Sequence, residues 1–133
     1  MFEVLEHPAD IGFRAFGSTP AELFRNAALA LLSISAELED IRPLQEYPLA
    51  ASGADYESLL VNWLNEVLYF TDGKRLGLCE FRIEEMDATH VAATGLGEPN
   101  RFRARLIVKA ATYHQLKVAQ TASGWVAEVY LDI

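Results

Sequence analysis

Several things are scarce in this sequence. There is one cysteine, Cys79, so no intrachain disulfide can form and a four-cysteine zinc site is excluded. Cys79 stands in an apolar, strand-like run and reads as a small core residue rather than a nucleophile. Basic residues are few: 11 Lys and Arg against 19 Asp and Glu, for a formal net charge of −8. That sign disfavours sequence-independent binding of duplex nucleic acid, where counterion release rewards Lys and Arg. It suits a cation, a partner protein with a basic face, or plain solubility. No apolar run approaches the ~18 residues of a membrane span. The opening MFEVLEHPAD has neither the basic nor the apolar stretch of a signal peptide. No membrane partner is expected, and the expected location is cytoplasmic. The loops GxGxxG and GxxxxGK[ST], the GxSxG elbow and an RRM-type aromatic–basic strand are absent too, so the usual nucleotide cradles and RNA platforms are not expected.

What is present is a chain of 133 residues, 51% hydrophobic, which suits one domain over 1–133 with a proper core. Phe2 to Leu5 reads as a short strand ended by Pro8, and 10–17 as a strand that alternates Ile11, Phe13 and Ala15 with Gly12, Arg14 and Phe16. Thr19-Pro20-Ala21-Glu22 is a helix start: a capping hydroxyl, proline at the first turn, and a glutamate that can close a capping box. The apolar stripe from Leu23 to Leu38 predicts a helix ending near Glu37, before Pro43. Residues 44–51 read as a strand, placed at an edge or bulge by Pro48. Asp55 caps a second helix that buries Leu59, Leu60, Trp63, Leu64, Val67 and Leu68, with Glu57, Asn62, Asn65 and Glu66 mostly wet; Asp72-Gly73 is its expected stop. The period then changes from 3.6 to 2. Cys79 to Glu84, 90–97, 102–111 and Trp125 to Ile133 alternate like strands, Leu116 and Val118 continue the pattern, and Thr121 to Gly124 is a hairpin turn. Gly95 to Pro99 reads as a loop. The order predicts an α+β fold, two helices on one face of a mixed or antiparallel sheet.

Three sets of residues could carry chemistry. His7 and Asp10 stand three apart at the mouth of a strand, a spacing that a metal can use but that capping uses more often. Asp132 and Ile133 end the chain in a strand. With the α-carboxylate of Ile133 they would offer hard oxygen donors for calcium, magnesium or manganese, against the plainer reading of a frayed terminus. Lys109 shares a predicted strand face with Arg103 and Arg105; such a row meets phosphate or, more commonly, forms a charge ladder with Glu80, Glu84 or Glu128. His114 follows as a turn residue.

HPADIGFRAFGSTPAELFRNAALAL, LLVNWLNEVLYFTD, Gly97-Glu98, VKAATYHQLKV and the terminal W…DI resemble, in that order, the motifs of the archease family. The resemblance covers nearly the whole chain. It implies an α+β fold of two interleaved strand–helix–strand–strand modules, and an accessory protein rather than an enzyme. Its implied partner is the GTP-dependent RNA ligase that joins a 2′,3′-cyclic-phosphate end to a 5′-hydroxyl in tRNA splicing and RNA repair. The accessory role is to promote guanylylation and multiple turnover. Some archaeal members are linked instead to a tRNA cytosine-5 methyltransferase, as chaperone-like modulators. The resemblance implies a divalent metal, calcium with manganese or magnesium as alternatives, on Asp10, Asp132 and Ile133, and an activity-linked role for Lys109. His7 and His114 remain candidates for partner or phosphate contact, and with Asp10 and Asp132 for a metal-dependent phosphoesterase, the rival reading. Pro8 replaces the family's usual Thr, and the segment after Glu98 is shorter than in many members and lacks their Arg-His pair.

Overall fold

The computed structural model describes residues 1–7 and 10–133, and for residues 6, 7 and 10 the backbone alone. The expectations placed on Pro8, and on the side chains of His7 and Asp10, lie outside the described residues. The elements are β1 (Phe2–His7), β2 (Asp10–Gly17), α1 (Pro20–Ser35), β3 (Gln45–Ser52), α2 (Tyr56–Leu68), β4 (Gly77–Met86), β5 (His90–Glu98), β6 (Ala110–Ala111), β7 (Lys117–Thr121) and β8 (Gly124–Asp132).

The fold is α+β, and its strands divide into two sheets, both antiparallel. One has β8 at its centre: β1 pairs with β2, β2 with β8, and β7 and β6 share the far edge of β8. The other runs β3-β5-β4. Each sheet contains the same plan. A strand leads into a helix, and a hairpin follows whose second strand returns to pair with the first: β2, α1, β7, β8 in one case and β3, α2, β4, β5 in the other. The second module is inserted between α1 and β7 of the first. Both helices touch both sheets, α1 packing on β2 and β4 and α2 on β3 and β6. The two modules therefore share one core.

Local chemistry explains the elements. Thr19 caps α1, its hydroxyl accepting from Glu22 N–H at 3.2 Å. Glu22 reaches back one residue further than a capping box requires, accepting from the N–H and hydroxyl of Ser18. The helix stops at Ser35, two residues before the expected end, because Glu37 turns its N–H to Arg103 O instead. Asp55 and Ser58 make a complete capping box on α2. Beyond Leu68 the chain forms a π-helical turn, Tyr69–Gly73, with Thr71 buried and bonded to Val67 O. Gly73 does not supply the left-handed residue of this stop; Arg75 does, at φ 62°. Trp63 ties the modules together. It is fully buried on α2, donates its indole N–H to Phe24 O of α1 at 3.0 Å, and lies edge-on to Phe81 of β4. Pro48 falls on an edge strand, as its missing N–H requires.

Two readings in the strand-rich half are corrected by the structure. Gly95 to Glu98 is not a loop but the end of β5. Glycine is needed there because β4 bulges between Leu78 and Glu80 and approaches so closely that a Cβ on Gly97 would strike Gly77 O. The alternating run 102–111 is a strand only at Ala110–Ala111. From 99 to 109 the chain is a strap over the end of α1: Ala104 bridges to Ala36, Arg105 N–H donates to Ser35 O, and Phe102 and Val108 are buried. The outer edge of β8 is already taken by β7 and β6, so the strap satisfies its backbone on the helix end.

Candidate functional site at the end of the first sheet

The start of β2, the end of β8 and the short β6 meet at one end of the larger sheet. Ile11 and Leu131 are the last pair of the β2–β8 ladder, and Asp10 and Asp132 are the next residues of the two strands at that end. On the other side of β8, Ala110 pairs with Asp132, and Lys109 donates its backbone N–H to Asp132 O at 2.7 Å. Four residues singled out from the sequence, Asp10, Lys109, Asp132 and Ile133, thus belong to one sheet end, although Asp10 and Asp132 lie at opposite ends of the chain. The side chains of Lys109, Asp132 and Ile133 are exposed. Leu131, one residue back, is buried, so the strand is anchored up to its last turn of pleat.

The chemistry of this set suits a hard cation. Its donors are carboxylate oxygens, with no thiolate from the sequence's single cysteine, which lies on β4. No three His, Cys, Asp or Glu side chains gather for a metal among the described residues; the Asp10 side chain is not one of these. Lys109 adds a positive charge at this sheet end, and its ammonium forms no ion pair with the described residues. An anion such as a phosphate oxygen, placed between a cation and Lys109, would be held from both sides.

Backbone geometry around this end is tight. A Cβ on Gly12 would come within 2.5 Å of Val129 O and 2.8 Å of the Tyr130 ring, so the aromatic ring needs glycine opposite it. His114 sits in an exposed turn, its ring edge-on to Tyr130 at 6.2 Å and its N–H on the Thr112 hydroxyl. β6 itself is held by an unexpected residue. Asn65 of α2 accepts from Ala111 N–H at 2.8 Å and donates to Ala111 O at 3.4 Å. Its place on the wetter side of α2 hid this role; an amide there, where Glu or Lys is the commoner choice, was the one available signal. Between α2 and the strap lies a cleft of about 290 Å³ lined by Asn65, Tyr69, Asp72, Val108, Lys109 and Ala110. A larger hollow, about 550 Å³, is at the other end of β2 and β8, beside Phe16, Asn26 and Trp125. Its acidic residue, Glu22, is engaged by Ser18.

The expected charge ladder is not formed. Arg105 makes a two-pronged pair with Glu37, Glu80 pairs with Arg25, Glu84 with Arg82, and Glu128 with Arg14. The residues 103, 105 and 109 share no strand face, because the segment is not a strand. Cys79 is partly buried with its thiol pushed up by burial, consistent with a packing residue rather than a nucleophile.

Residues 2–133 match the model of the Archease protein family (MTH1598/TM1083). The chain is 37% identical to the protein archease of Methanosarcina barkeri, covering 99% of this chain and 95% of that one. It is 32% identical to that of Sulfurisphaera tokodaii, covering 99% and 98%. The solution structure of Methanobacterium thermoautotrophicum protein 1598 superposes with a TM-score of 0.82 at 31% identity, covering 99% of this chain and 98% of that chain. The crystal structure of a Thermotoga maritima archease, described as a possible chaperone, shares the fold, with a TM-score of 0.68 at 22% identity over 97% and 94%.

Proposed function

This chain belongs to the archease family, and on that premise we propose that it is a metal-binding accessory factor of a GTP-dependent RNA ligase. The ligase joins a 2′,3′-cyclic-phosphate end to a 5′-hydroxyl in tRNA splicing and RNA repair; the accessory factor promotes guanylylation of the ligase histidine and its repeated turnover. The observation that carries the reading is the meeting of Asp10, Asp132 and Lys109 at one sheet end. Asp10 and Asp132 are the residues that would hold a divalent cation, joined by the carboxylate of Ile133 where the chain ends at that residue. Calcium is the reference ion, with manganese or magnesium as physiological alternatives. A cation there would supply positive charge for phosphate oxygens. Lys109 provides a second, fixed positive charge against the same oxygens or against the ligase. The net charge of −8 favours approach to a basic ligase face. Catalysis stays with the partner.

The test is multiple-turnover ligation by the cognate ligase with and without this protein. Wild type should raise turnover, and Asp10→Ala or Asp132→Ala should abolish the gain. No stimulation by wild type overturns the reading. A short extension after Ile133 turns its carboxylate into a peptide group, and calcium affinity should fall; unchanged affinity removes Ile133 from the ligand set. Recovery of a tRNA cytosine-5 methyltransferase in place of a ligase from the native host would move the same sheet end to the chaperone-like role.

A further inference from the structure

We infer that Asn65 is a positioning residue of this sheet end: its side-chain amide, reaching from α2, sets where Lys109 stands relative to Asp132. The inference rests on the accessory-factor reading for its functional half and on geometry for its structural half.

β6 has two residues, too few to hold a register by themselves. On one side they pair with Leu131 and Asp132 of β8. On the other the neighbouring strand position is empty among the described residues, and Asn65 fills it. Its carboxamide offers one acceptor and one donor in a plane, the same complement as a peptide group, and both go to Ala111, at 2.8 Å to the N–H and 3.4 Å to the carbonyl. The amide thus acts as a one-residue strand. The segment before Lys109 is the irregular strap, and the segment after Ala111 enters the His114 turn. Asn65 is therefore the attachment of β6 to the helical layer, two residues from Lys109.

The consequence is directional. Lys109 N–H bonds Asp132 O, and the same lysine lines the cleft that Asn65 and Tyr69 also line. Releasing Ala111 lets β6 slide or lift from β8. The backbone of Lys109 then loses its fixed place beside Asp132, and the carbonyl of Asp132 loses its donor. α2 is otherwise held by the burial of Leu59, Leu60, Trp63, Leu64, Val67 and Leu68, so losing the clamp leaves the core in place.

The experiment uses the full chain with Asn65→Leu, which keeps the branching at Cγ without a donor or acceptor, and Asn65→Asp, which keeps the acceptor for Ala111 N–H. Amide exchange by NMR reads the clamp directly. In Asn65→Leu the amides of Lys109, Ala111 and Thr112 should exchange at least tenfold faster, while those of Val126 and Val129 in the middle of β8 keep their rates. Asn65→Asp should restore most of the protection at Ala111. Calcium titration and multiple-turnover ligation follow on the same samples. Asn65→Leu should lower the stimulated rate at saturating calcium by tenfold or more, with calcium affinity changed less than by Asp132→Asn. Unchanged exchange at Lys109 and Thr112 overturns the clamp. Faster exchange with unchanged stimulation overturns the positioning role. If wild type fails to stimulate any ligase, the accessory reading falls, and the exchange data still decide whether Asn65 sets the position of Lys109.

Discussion

In the module β2–α1–β7–β8 the central strand ends at Asp132, exposed, one residue past the last pair with β2, as Asp10 is on the other strand. In the module β3–α2–β4–β5 the central strand ends at Glu98, and the corresponding step beyond the Gln45–Gly97 pair sets Leu44 across from it. The Glu98 carboxylate is already occupied. It accepts from Arg42 N–H at 2.9 Å, lies 3.6 Å from the Arg42 guanidinium and 3.9 Å from Arg101, and its side chain is 14% exposed. The backbone N–H of Arg42, with the charges of Arg42 and Arg101, holds this carboxyl below its ordinary value. One plan of strands thus yields two different ends. Where arginines are built in, the carboxylate completes the fold. Where a second acidic position replaces Leu44, the same plan sets two acidic residues at neighbouring strand ends, the pair that the proposed cation would use. The shared topology carries no function by itself; the residues at its ends do.

The comparison is broken most severely at the joint. Trp63→Ala removes the buried ring that links α2 to Phe24 of α1 and to Phe81, and should cost about 3–5 kcal/mol. Urea unfolding followed by Trp125 fluorescence and by amide exchange in β5 should show both modules failing together. Separate transitions would mean that the modules are independent units.

The two ends should respond differently to losing their carboxylates. Asp132→Asn should weaken calcium binding at least tenfold, about 1.4 kcal/mol, and leave the melting temperature near wild type without the metal. Glu98→Gln should leave calcium binding alone and lower the melting temperature. Equal calcium effects at the two ends would remove the distinction. The pH dependence sharpens it. The folded value of Glu98 is depressed, so its stabilising contribution is complete above the ordinary value of 4.5 and is lost as pH falls through the folded value. The melting temperature of Glu98→Gln should therefore converge toward wild type in acid, and failure to converge would detach Glu98 from that stability.

The smallest effect is expected where the modules touch at the surface. Arg25 of α1 grips Glu80 of β4 through two bonds, 2.9 and 2.7 Å, with both side chains more than a third exposed. Arg25→Ala should cost about 0.2–1 kcal/mol by denaturant midpoint. A loss above 2 kcal/mol would place this pair, rather than Trp63, at the joint.

Much of the fold could be read before any coordinates. Thr19-Pro20 and Asp55 mark both helix starts because capping is a contact between near neighbours. The stripe of α2 and the hairpin at Thr121–Gly124 follow from period and turn chemistry. The run 102–111 misled because alternation says that a segment is suited to a sheet, not that a sheet edge is free to take it. Gly97 of β5 misled in the opposite way, since its need is created by the close approach of the Gly77 backbone on the neighbouring strand. Helical spacing puts Asn65 on the wet face of α2, and its partner, 46 positions on, is named by no local rule. As for Asp10, a carboxylate at a strand mouth was visible, but its pairing with Asp132 was implied by family resemblance alone.

By itself, then, the sequence determined the caps, the helices, most of the strand faces and the supply of hard oxygen donors at both ends of the chain, all of which depend on residues within a few positions of one another. Tertiary structure alone decided that β2 and β8 lie side by side, that the strap surrenders its strand character to the end of α1, and that Glu98 meets arginines while Lys109 stays free of ion pairs among the described residues. Those outcomes depend on which strand edge is vacant and on the register of pairing, and register is settled by burying one apolar face across the whole core.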